Sequence, residues 1–417
     1  MAQGCSTGIL LLRAVVRMKR LPINCIAAGF VALAALALPA MAATETVLYS
    51  FPDSGTGEPL GTLHFKNGSL YGTGSGDEKT ADGQVFKLTN SGGAWRGKTL
   101  VTFDGANGST PYTGPIRGPD GVFYGTTYTG DAYNGGNVFT LVKSGRKWVE
   151  QTIWAFGGTS GDGTQPTCDL VIDKSGNIFG TTFYGGTANA GTVFELSKVN
   201  GVWTESVLLS FTGKETGWFP YAGLLMDGSG ALYGTTFYGG DSGGDGTVFK
   251  LFKSGGVWKE KVIYSFGGSD GYEPLGTLIR DKNGVLYGTT QAGGAWDVGV
   301  VFMLSPAGGK WTETVLHTFP FQNGSNDGYE PTAGLTWGPS GSLYGTTSAG
   351  NGGDGTVFEL RQSGGVWTET ILHQFSHKKG DGGFPQGGVT LDKNGALYGM
   401  TFGGGKYGYG EVWKITP

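Results

Sequence analysis

An internal repeat is the feature that most constrains the fold of this chain. The motif Tyr-Gly-Thr-Thr and its close variants occur seven times, beginning at Tyr71, Tyr124, Phe179, Tyr233, Tyr287, Tyr344 and Tyr398. Successive copies begin 53 to 57 residues apart. A period of this length is typical of solenoids and propellers, in which each copy is one unit that cannot bury its apolar face alone. We therefore expect seven similar structural units.

Each copy predicts four short β-strands. In the copy that contains Tyr287 we expect strands at 275–281, 285–290, 300–304 and 311–319, with a hairpin turn at Asp-Lys-Asn-Gly, 281–284. Apolar and polar residues alternate along the last strand of each copy, as they do on a half-buried strand. Glycine makes up 82 of the 417 residues, far above the roughly 7% of an ordinary protein, which fits a chain dense in turns. The predicted fold class is all-β.

The two ends of the repeat array indicate a closed ring rather than an open solenoid. The last copy, 387–417, stops after its third strand. Residues 45–51 match the fourth-strand pattern of residues 369–375 and supply the missing strand. A propeller closed in this way covers the exposed edge that the last blade would otherwise present. We predict a single domain, 43–417, that is a seven-bladed β-propeller closed by its N-terminal strand.

The N-terminal segment predicts export. Residues 26–38 form an apolar run that follows three basic residues, Arg17, Lys19 and Arg20, and precedes an Ala-Met-Ala sequence at 40–42. This order is typical of a secretory signal peptide, and the apolar run is shorter than the ~20 residues that span a bilayer. We expect residues 1–42 to be a signal peptide, with Met18 as an alternative start. The expected location is secreted or periplasmic, with no membrane span after cleavage.

Charge and cysteine content narrow the expected partners. Without residues 1–42 the chain has 25 basic and 33 acidic residues, so binding to nucleic acid or to an anionic membrane is not expected. Cys168 is then the one remaining cysteine, which rules out an internal disulfide. We expect a monomer stabilised by packing alone.

The repeat motifs also carry a family resemblance. The sequence Gly-Thr-Val-Phe-Lys-Leu at 246–251, its counterparts in the other copies and the Tyr-Gly-Thr-Thr motifs resemble the GloVer-type tandem repeats. These belong to bacterial secreted or surface proteins described as "choice-of-anchor". The resemblance covers all of 43–417 and implies export and a propeller-like fold, but it implies no activity. Because nothing follows the third strand of the last copy, we expect a soluble exported form rather than an anchored one.

Several motifs of apparent chemical interest have structural explanations. The stretch 92–99 satisfies the phosphate-loop pattern, but it aligns with hairpin turns of other copies and leads into a strand instead of a helix. His317 and His373 occupy a position that is tyrosine in sibling strands, which indicates packing. No histidine pair has the spacing of a metal site, and Cys168 has no recognisable histidine partner. We predict no cofactor, no metal and no catalytic residue.

Acidic residues recur in the connections between copies. An Asp-Gly pair follows the fourth strand in most copies, at Asp104, Asp162, Asp270, Asp327 and Asp381. Paired carboxylates on one face would suit a polysaccharide hydrolase or lyase, which is the alternative function that we retain. A group needed once for catalysis should occur once, however, whereas Asp-Gly is ordinary turn chemistry. Asp241, Asp245 and Asp354 lie in glycine-rich loops without the spacing of a calcium loop.

Positions where the repeat symmetry breaks are the better candidates for a binding site. In an up-and-down blade the fourth-to-first and second-to-third connections emerge on the same face, which we call the loop face. Aromatic residues interrupt the repeat pattern in these connections at Trp218, Tyr238, Tyr272, Trp296, Tyr128, Tyr133, Tyr407 and Tyr409. Exposed rings suit stacking on sugars or contact with a protein, and the alternative is that they pack between blades. We therefore predict a module that binds a glycan or an extracellular protein, with an enzyme or a structural envelope component as alternatives.

Overall fold

The architecture comes from a computed structural model of the chain. It describes residues 43–53, 56–76, 82–213, 215–241, 244–321, 327–350, 353–378 and 380–417. The predicted signal peptide, 1–42, lies outside the described residues. Residues Ala42–Pro417 form one compact unit.

Seven four-stranded antiparallel sheets make up the ring, and we number these blades 1 to 7 along the chain. The first, innermost strands are His64–Lys66, Ile116–Arg117, Val171–Ile172, Leu225–Met226, Ile279–Arg280, Thr336–Trp337 and Thr390–Leu391. The second strands are Ser69–Gly74, Phe123–Thr127, Ile178–Thr182, Leu232–Thr236, Leu286–Thr290, Leu343–Thr347 and Leu397–Thr401. The third strands are Gln84–Ser91, Asn137–Ser144, Thr192–Val199, Thr247–Ser254, Val300–Ala307, Thr356–Ser363 and Glu411–Thr416. The fourth, outer strands of blades 1 to 6 are Ala94–Thr102, Lys147–Ala155, Val202–Ser210, Val257–Ser265, Lys310–Thr318 and Val366–Gln374.

Short elements supplement the blades. Two-residue strands pair the loop-face connections of three blades: Gly163–Thr164 with Tyr184–Gly185, Gly328–Tyr329 with Ala349–Gly350, and Gly382–Gly383 with Gly403–Gly404. One 3-10 turn, Pro339–Gly341, lies in blade 6. The predicted all-β, seven-bladed propeller is confirmed.

The ring closes as the sequence predicts. The N-terminal strand Thr44–Ser50 pairs antiparallel with Glu411–Thr416 and is the fourth strand of blade 7. Glu45 lies opposite Ile415, and Trp413 in the same sheet is fully buried. The two ends of the described chain therefore complete one blade.

The core lies between neighbouring blades, and aromatic rings fill most of it. At the boundary of blades 4 and 5 the rings of Phe266 and Phe302 lie 5.1 Å apart and nearly perpendicular. The glycine of the repeat motif makes this packing possible, because a Cβ on Gly288 would lie 2.6 Å from Cζ of Phe302. The same contact between a motif glycine and a third-strand phenylalanine recurs at Gly125 and Gly234. The motif glycine is therefore a packing requirement rather than a turn residue.

A β-bulge interrupts the predicted alternation in every fourth strand. In blade 4 Val248 pairs with Tyr264 and Phe249 pairs with Val262, which leaves Ile263 between them. The bulged residues are Leu48, Leu100, Ile153, Leu208, Ile263, Leu316 and Leu372. All seven are leucine or isoleucine, and Ile263 is buried in the core. The bulge turns one extra apolar side chain of a rim strand inward.

The first strands are shorter than predicted. In blade 5 the strand covers only Ile279–Arg280, and Leu275 and Thr277 before it line the centre of the ring instead of extending the ladder. The turn that follows depends on Asp281, whose Oδ1 accepts hydrogen bonds from the backbone N–H groups of Asn283 and Val285, both at 2.9 Å. Gly284 takes the left-handed conformation there, with φ +88°.

A ring of strained residues joins each blade to its neighbour at the loop face. The residue before the recurring proline has φ between +55° and +59° in all seven copies: Glu58, Thr110, Gln165, Phe219, Glu273, Glu330 and Phe384. In blade 5, Glu273 donates its N–H to the carbonyl of Asp245 in blade 4 and accepts a hydrogen bond from Gln291 N–H. Such conformations cost about 1–3 kcal/mol each and persist only where the surroundings hold them. They turn the residues after each proline toward the ring centre.

Candidate binding surfaces

Two predicted aromatic residues lie side by side on the loop face of blade 4. Trp218 and Tyr238 form an antiparallel bridge in which each backbone N–H donates to the other's carbonyl, at 2.8 and 3.2 Å. Their exposed fractions are 41% and 38%. Gly213 allows the indole to lie against the backbone, since a Cβ there would be 2.2 Å from Nε1 of Trp218. The two rings therefore stand on a fixed backbone.

Two more predicted residues, Tyr272 and Trp296, continue this surface onto blade 5. The hydroxyl of Tyr238 interacts electrostatically with Glu273, and that of Tyr272 with Asp297, the neighbour of Trp296 in the chain. Trp296 is 46% exposed. We call the surface formed by Trp218, Tyr238, Tyr272, Glu273, Trp296 and Asp297 the blade 4–5 patch.

The electrostatics of the blade 4–5 patch are acidic. Burial, followed by the nearby charges of Asp245 and Asp297, raises the pKa of Glu273. Burial, followed by the carboxylates that they contact, also raises the pKa of Tyr238 and Tyr272. Both hydroxyls thus remain protonated hydrogen-bond donors next to carboxylate acceptors.

The other predicted site residues lie elsewhere. Tyr128 is half-buried, with its ring 4.8 Å from that of Tyr112. Tyr133 is 59% exposed on blade 2 and lies over Gly158. Neither residue takes part in the contacts that define the blade 4–5 patch.

Tyr407 and Tyr409 lie on blade 7 near the closure of the ring. Tyr407 is exposed, and the Nζ of Lys406 lies 4.9 Å from its ring centre. The carbonyl of Tyr409 accepts a hydrogen bond from the N–H of Glu58 at 3.0 Å, so its backbone belongs to the blade junction. The structure thus brings four of the eight predicted residues together.

An aromatic cluster that the sequence analysis did not identify connects the patch to the ring centre. Phe183 stacks on Phe219 at 5.1 Å, and Phe219 lies 6.5 Å from Tyr238 of the patch. Phe183 also contacts Tyr221, with ring centres 5.9 Å apart. This cluster was predictable from the sequence, because Phe219 and Phe183 stand at positions where blade 5 has a glutamate and a glutamine.

The ring encloses a central cavity of ≈ 310 Å³ to which all seven blades contribute. Its lining consists mainly of the first three residues after each recurring proline. Aromatic residues line it on blades 2 to 4, at Tyr112, Phe183, Tyr221 and Phe237. Aliphatic and small polar residues from the other blades line the remainder, including Leu60, Leu275, Gln291, Thr332 and Gln386. One wall is therefore aromatic and the other is not.

Among the described residues that line this cavity, Asp169 is the one acidic residue, and none is Lys, Arg or His. It lies three residues after its proline, where the other six blades have Thr62, Gly114, Gly223, Thr277, Gly334 and Gly388. Among the described residues its Oδ1 is buried and has no hydrogen-bond partner. Burial raises the pKa of Asp169 and lowers that of His64, which interacts with it electrostatically. Neither residue was predicted as part of a site, because both lie outside the loop segments in which the aromatic symmetry breaks occur.

Repeated carboxyl groups lie at the blade interfaces instead. A glutamate on the fourth strand faces the Asp-Gly connection that precedes its blade, as Glu313 faces Asp270. We call the six glutamates Glu45, Glu150, Glu205, Glu260, Glu313 and Glu369 the interface glutamates. In each of them Oε1 is buried without a hydrogen-bond partner in the described part of the chain. Burial is the first cause that raises their pKa, to about 7 for Glu313 and about 8 for Glu369.

The Asp-Gly residues serve their own turns, as their repetition suggests. Asp270 Oδ1 accepts the backbone N–H of Gly267 at 2.8 Å, and its Oδ2 accepts the hydroxyl of Tyr264. Asp162 accepts the N–H groups of Gly157 and Gly158 at 2.9 and 3.2 Å.

The other motifs of apparent chemical interest also have structural roles. Residues 92–93 form a hairpin turn that leads into the strand Ala94–Thr102, not into a helix. Cys168 is buried, and burial raises its pKa to about 11. No group of three or more His, Cys, Asp or Glu side chains that could hold a metal ion occurs among the described residues. The same residues include no helix long and apolar enough to cross a membrane.

Comparisons with known proteins place the chain by family and fold. A family model described as the Gloeobacter/Verrucomicrobia repeat matches residues 149–352. No curated protein matches the sequence. A Bacteroides uniformis structure, provisionally described as a 6-phosphogluconolactonase, is 14% identical with a TM-score of 0.52, and the match covers 81% of this chain and 88% of that one. A Lactobacillus plantarum protein is 12% identical with a TM-score of 0.51, over 76% and 85% of the two chains.

Identities this low establish the fold alone. The family match agrees with the resemblance carried by the Tyr-Gly-Thr-Thr motifs. Residues 149–352 match the Gloeobacter/Verrucomicrobia repeat, and the chain arranges its repeats as a seven-bladed β-propeller.

Proposed function

We propose that this protein is an exported binding module that recognises a carbohydrate through the blade 4–5 patch. The observation that carries the proposal is the exposed Trp218–Tyr238 pair on a bridged backbone, with Trp296 exposed in the next blade. Flat rings supply contact area with few rotatable bonds, so little entropy is lost when a ligand stacks on them.

The polar groups of the patch suit a sugar better than an apolar partner. Glu273 and Asp297 present acceptors, and the hydroxyls of Tyr238 and Tyr272 can both donate and accept. A sugar ring offers hydroxyl groups to such a set and C–H groups to the aromatic faces. The acidic character of the patch favours neutral or amino sugars over acidic ones.

A glycan array probed with the chain from residue 43 onward tests this function. We expect binding to a restricted set of neutral or amino-sugar glycans, followed by measurement of affinity in solution. Trp218→Ala and Trp296→Ala should each weaken binding about tenfold or more without lowering the melting temperature. Tyr133→Ala, which removes a still more exposed ring on blade 2, is the control and should bind as the parent chain does.

Three outcomes would overturn the proposal. Absence of binding to every glycan would favour a protein partner or a structural envelope role. Loss of fold in the Trp218 variant would show that the ring packs between blades. Conversion of a bound polysaccharide to products would reassign the patch to a hydrolase or lyase that uses Glu273 and Asp297.

Export is a separate part of the proposal and rests on the pattern at 1–42. When the full chain is produced in a Gram-negative host, we expect it in the periplasm or the medium with a new N-terminus at Ala43. Retention of an uncleaved N-terminus in the cytoplasm would contradict export without affecting the binding proposal.

A further inference from the structure

We propose that the central cavity is a second binding site, which takes a small organic cation such as an amine or a quaternary ammonium compound. In this site Asp169 holds the charge of the ligand and the aromatic wall covers its apolar part. The inference goes beyond carbohydrate recognition, because the cavity is a different place from the blade 4–5 patch.

The fold does not require a carboxylate at the position of Asp169. The six sibling blades build the same turn with Gly or Thr, for example Gly223 and Thr277 in the two blades that follow. A group demanded by the blade architecture would recur, as the interface glutamates do. The single occurrence of Asp169 therefore points to a role that the ring needs once.

Among the described residues that line the cavity, none carries a charge opposite to that of Asp169. Its Oδ1 is buried without a hydrogen-bond partner in the described chain, and no basic side chain lines the cavity. His64 is the imidazole that interacts with it electrostatically; burial lowers the pKa of His64, and the charge of Asp169 opposes that shift. A buried carboxylate without a partner is costly, and a cationic ligand supplies the missing charge.

The remaining lining selects an organic cation over a metal ion. Tyr112, Phe183, Tyr221 and Phe237 form one wall, and aromatic faces attract ammonium groups through their negative π surfaces. Calcium sites combine several carboxylates with other oxygen ligands, whereas the described lining offers one carboxylate, and no cluster of three or more His, Cys, Asp or Glu side chains occurs among the described residues. A volume of ≈ 310 Å³ is at the lower end of sites for small molecules, which suits a ligand of a few carbon atoms.

Isothermal titration with a matched pair of probes tests the proposal. Choline and its neutral isostere 3,3-dimethylbutan-1-ol have nearly the same shape and differ in charge. We expect choline to bind at least tenfold more tightly than the alcohol to the chain from residue 43 onward. Because Asp169 must be ionised, choline affinity should increase as the pH rises from 5 to 8.

Sibling blades supply the variants, so that the fold is preserved. Asp169→Thr introduces the residue found in blades 1 and 5, and it should reduce choline affinity tenfold or more, to that of the alcohol. Tyr221→Leu introduces the leucine that blades 1 and 5 have at the equivalent position, Leu60 and Leu275. This variant should reduce choline affinity several-fold. Glu215→Gln removes an exposed carboxylate of the loop face and is the control, with unchanged affinity.

Specific outcomes would overturn this site. Equal affinity for choline and the alcohol, or unchanged choline affinity in Asp169→Thr, would show that the charge of Asp169 does not contribute to binding. Failure of choline, tetramethylammonium and butylamine alike to bind would reject an organic cation, and competition by calcium at micromolar concentration would reassign the site to a metal. Trp218→Ala should leave choline binding intact, so failure of the glycan proposal and failure of this one are distinguishable.

Discussion

The carboxyl groups between the blades and the carboxyl group at the ring centre look alike in burial but differ in distribution. The interface glutamates occur on six of the seven fourth strands, and each has a buried oxygen without a partner. Asp169 has the same kind of orphaned oxygen but occurs once, among Gly and Thr counterparts. In a repeat protein, a polar group present in nearly every unit serves the assembly of units, whereas a single one is a candidate for a ligand.

The largest expected effect comes from removing the strand that carries one interface glutamate and closes the ring. A chain that begins at residue 51 instead of 43 lacks Thr44–Ser50 and uncovers the edge formed by Glu411–Thr416, including the fully buried Trp413. We expect a fall of more than 10 °C in the melting temperature measured by circular dichroism, because an edge strand and one blade interface are exposed together. An unchanged melting curve would contradict ring closure as a source of stability.

A smaller effect is expected when a repeated carboxylate is compared directly with the single one. Asp162→Ala leaves the N–H groups of Gly157 and Gly158 without their acceptor and should cost about 2 kcal/mol of unfolding free energy. Asp169→Thr removes an unpartnered carboxylate from the cavity and should leave stability unchanged or raise it. Urea unfolding of the two variants measures both values. Equal destabilisation would remove the distinction between the repeated and single groups.

The smallest expected effect is a change in the pH dependence of the unfolding free energy when one interface glutamate is replaced. Burial raises the pKa of Glu260 from 4.5 to about 7, so the folded chain keeps a proton that the unfolded chain releases. The unfolding free energy should therefore fall as the pH rises from about 4.5 to about 7, and the interface glutamates together should make the protein more stable near pH 5 than near pH 8.

Glu260→Gln isolates one contribution to this pH dependence. Partial exposure reduces the effect of the pKa shift, so we expect the variant to lose only about 1–2 kcal/mol of the difference between pH 5 and pH 8. Denaturant unfolding at the two pH values provides the measurement. A parent chain that is more stable at pH 8 than at pH 5 would show that these carboxyl groups are not buried as described.

Much of the fold was predictable because the repeat is expressed in short-range patterns. The seven units, the four strands and the closing role of residues 45–51 all follow from motif spacing and alternation. The bulges were missed because a strictly alternating pattern cannot represent an extra residue, although an out-of-phase Leu or Ile such as Ile263 marks each one. The lengths of the first strands were overestimated, because apolar residues that line a channel resemble those of a strand.

The candidate sites were less predictable, for a physical reason. Exposure of Trp218 and Trp296 follows from their position in loops, but the contact between Tyr238 and Glu273 depends on how two blades meet. Asp169 and His64 are far apart in sequence and interact only because the ring brings their blades together. Alignment of the seven copies position by position, including the strands, would have identified Asp169 as the exception.

Closure by the first strand has a consequence for the order of folding. Thr44–Ser50 is synthesised before every blade, yet its partner Glu411–Thr416 is synthesised last. The outermost element of blade 7 must therefore wait, unpaired, until translation of the whole chain is finished. Pairing over so large a sequence separation has a high entropic cost and is slow, so the final step of folding is the one most exposed to misassembly between neighbouring molecules.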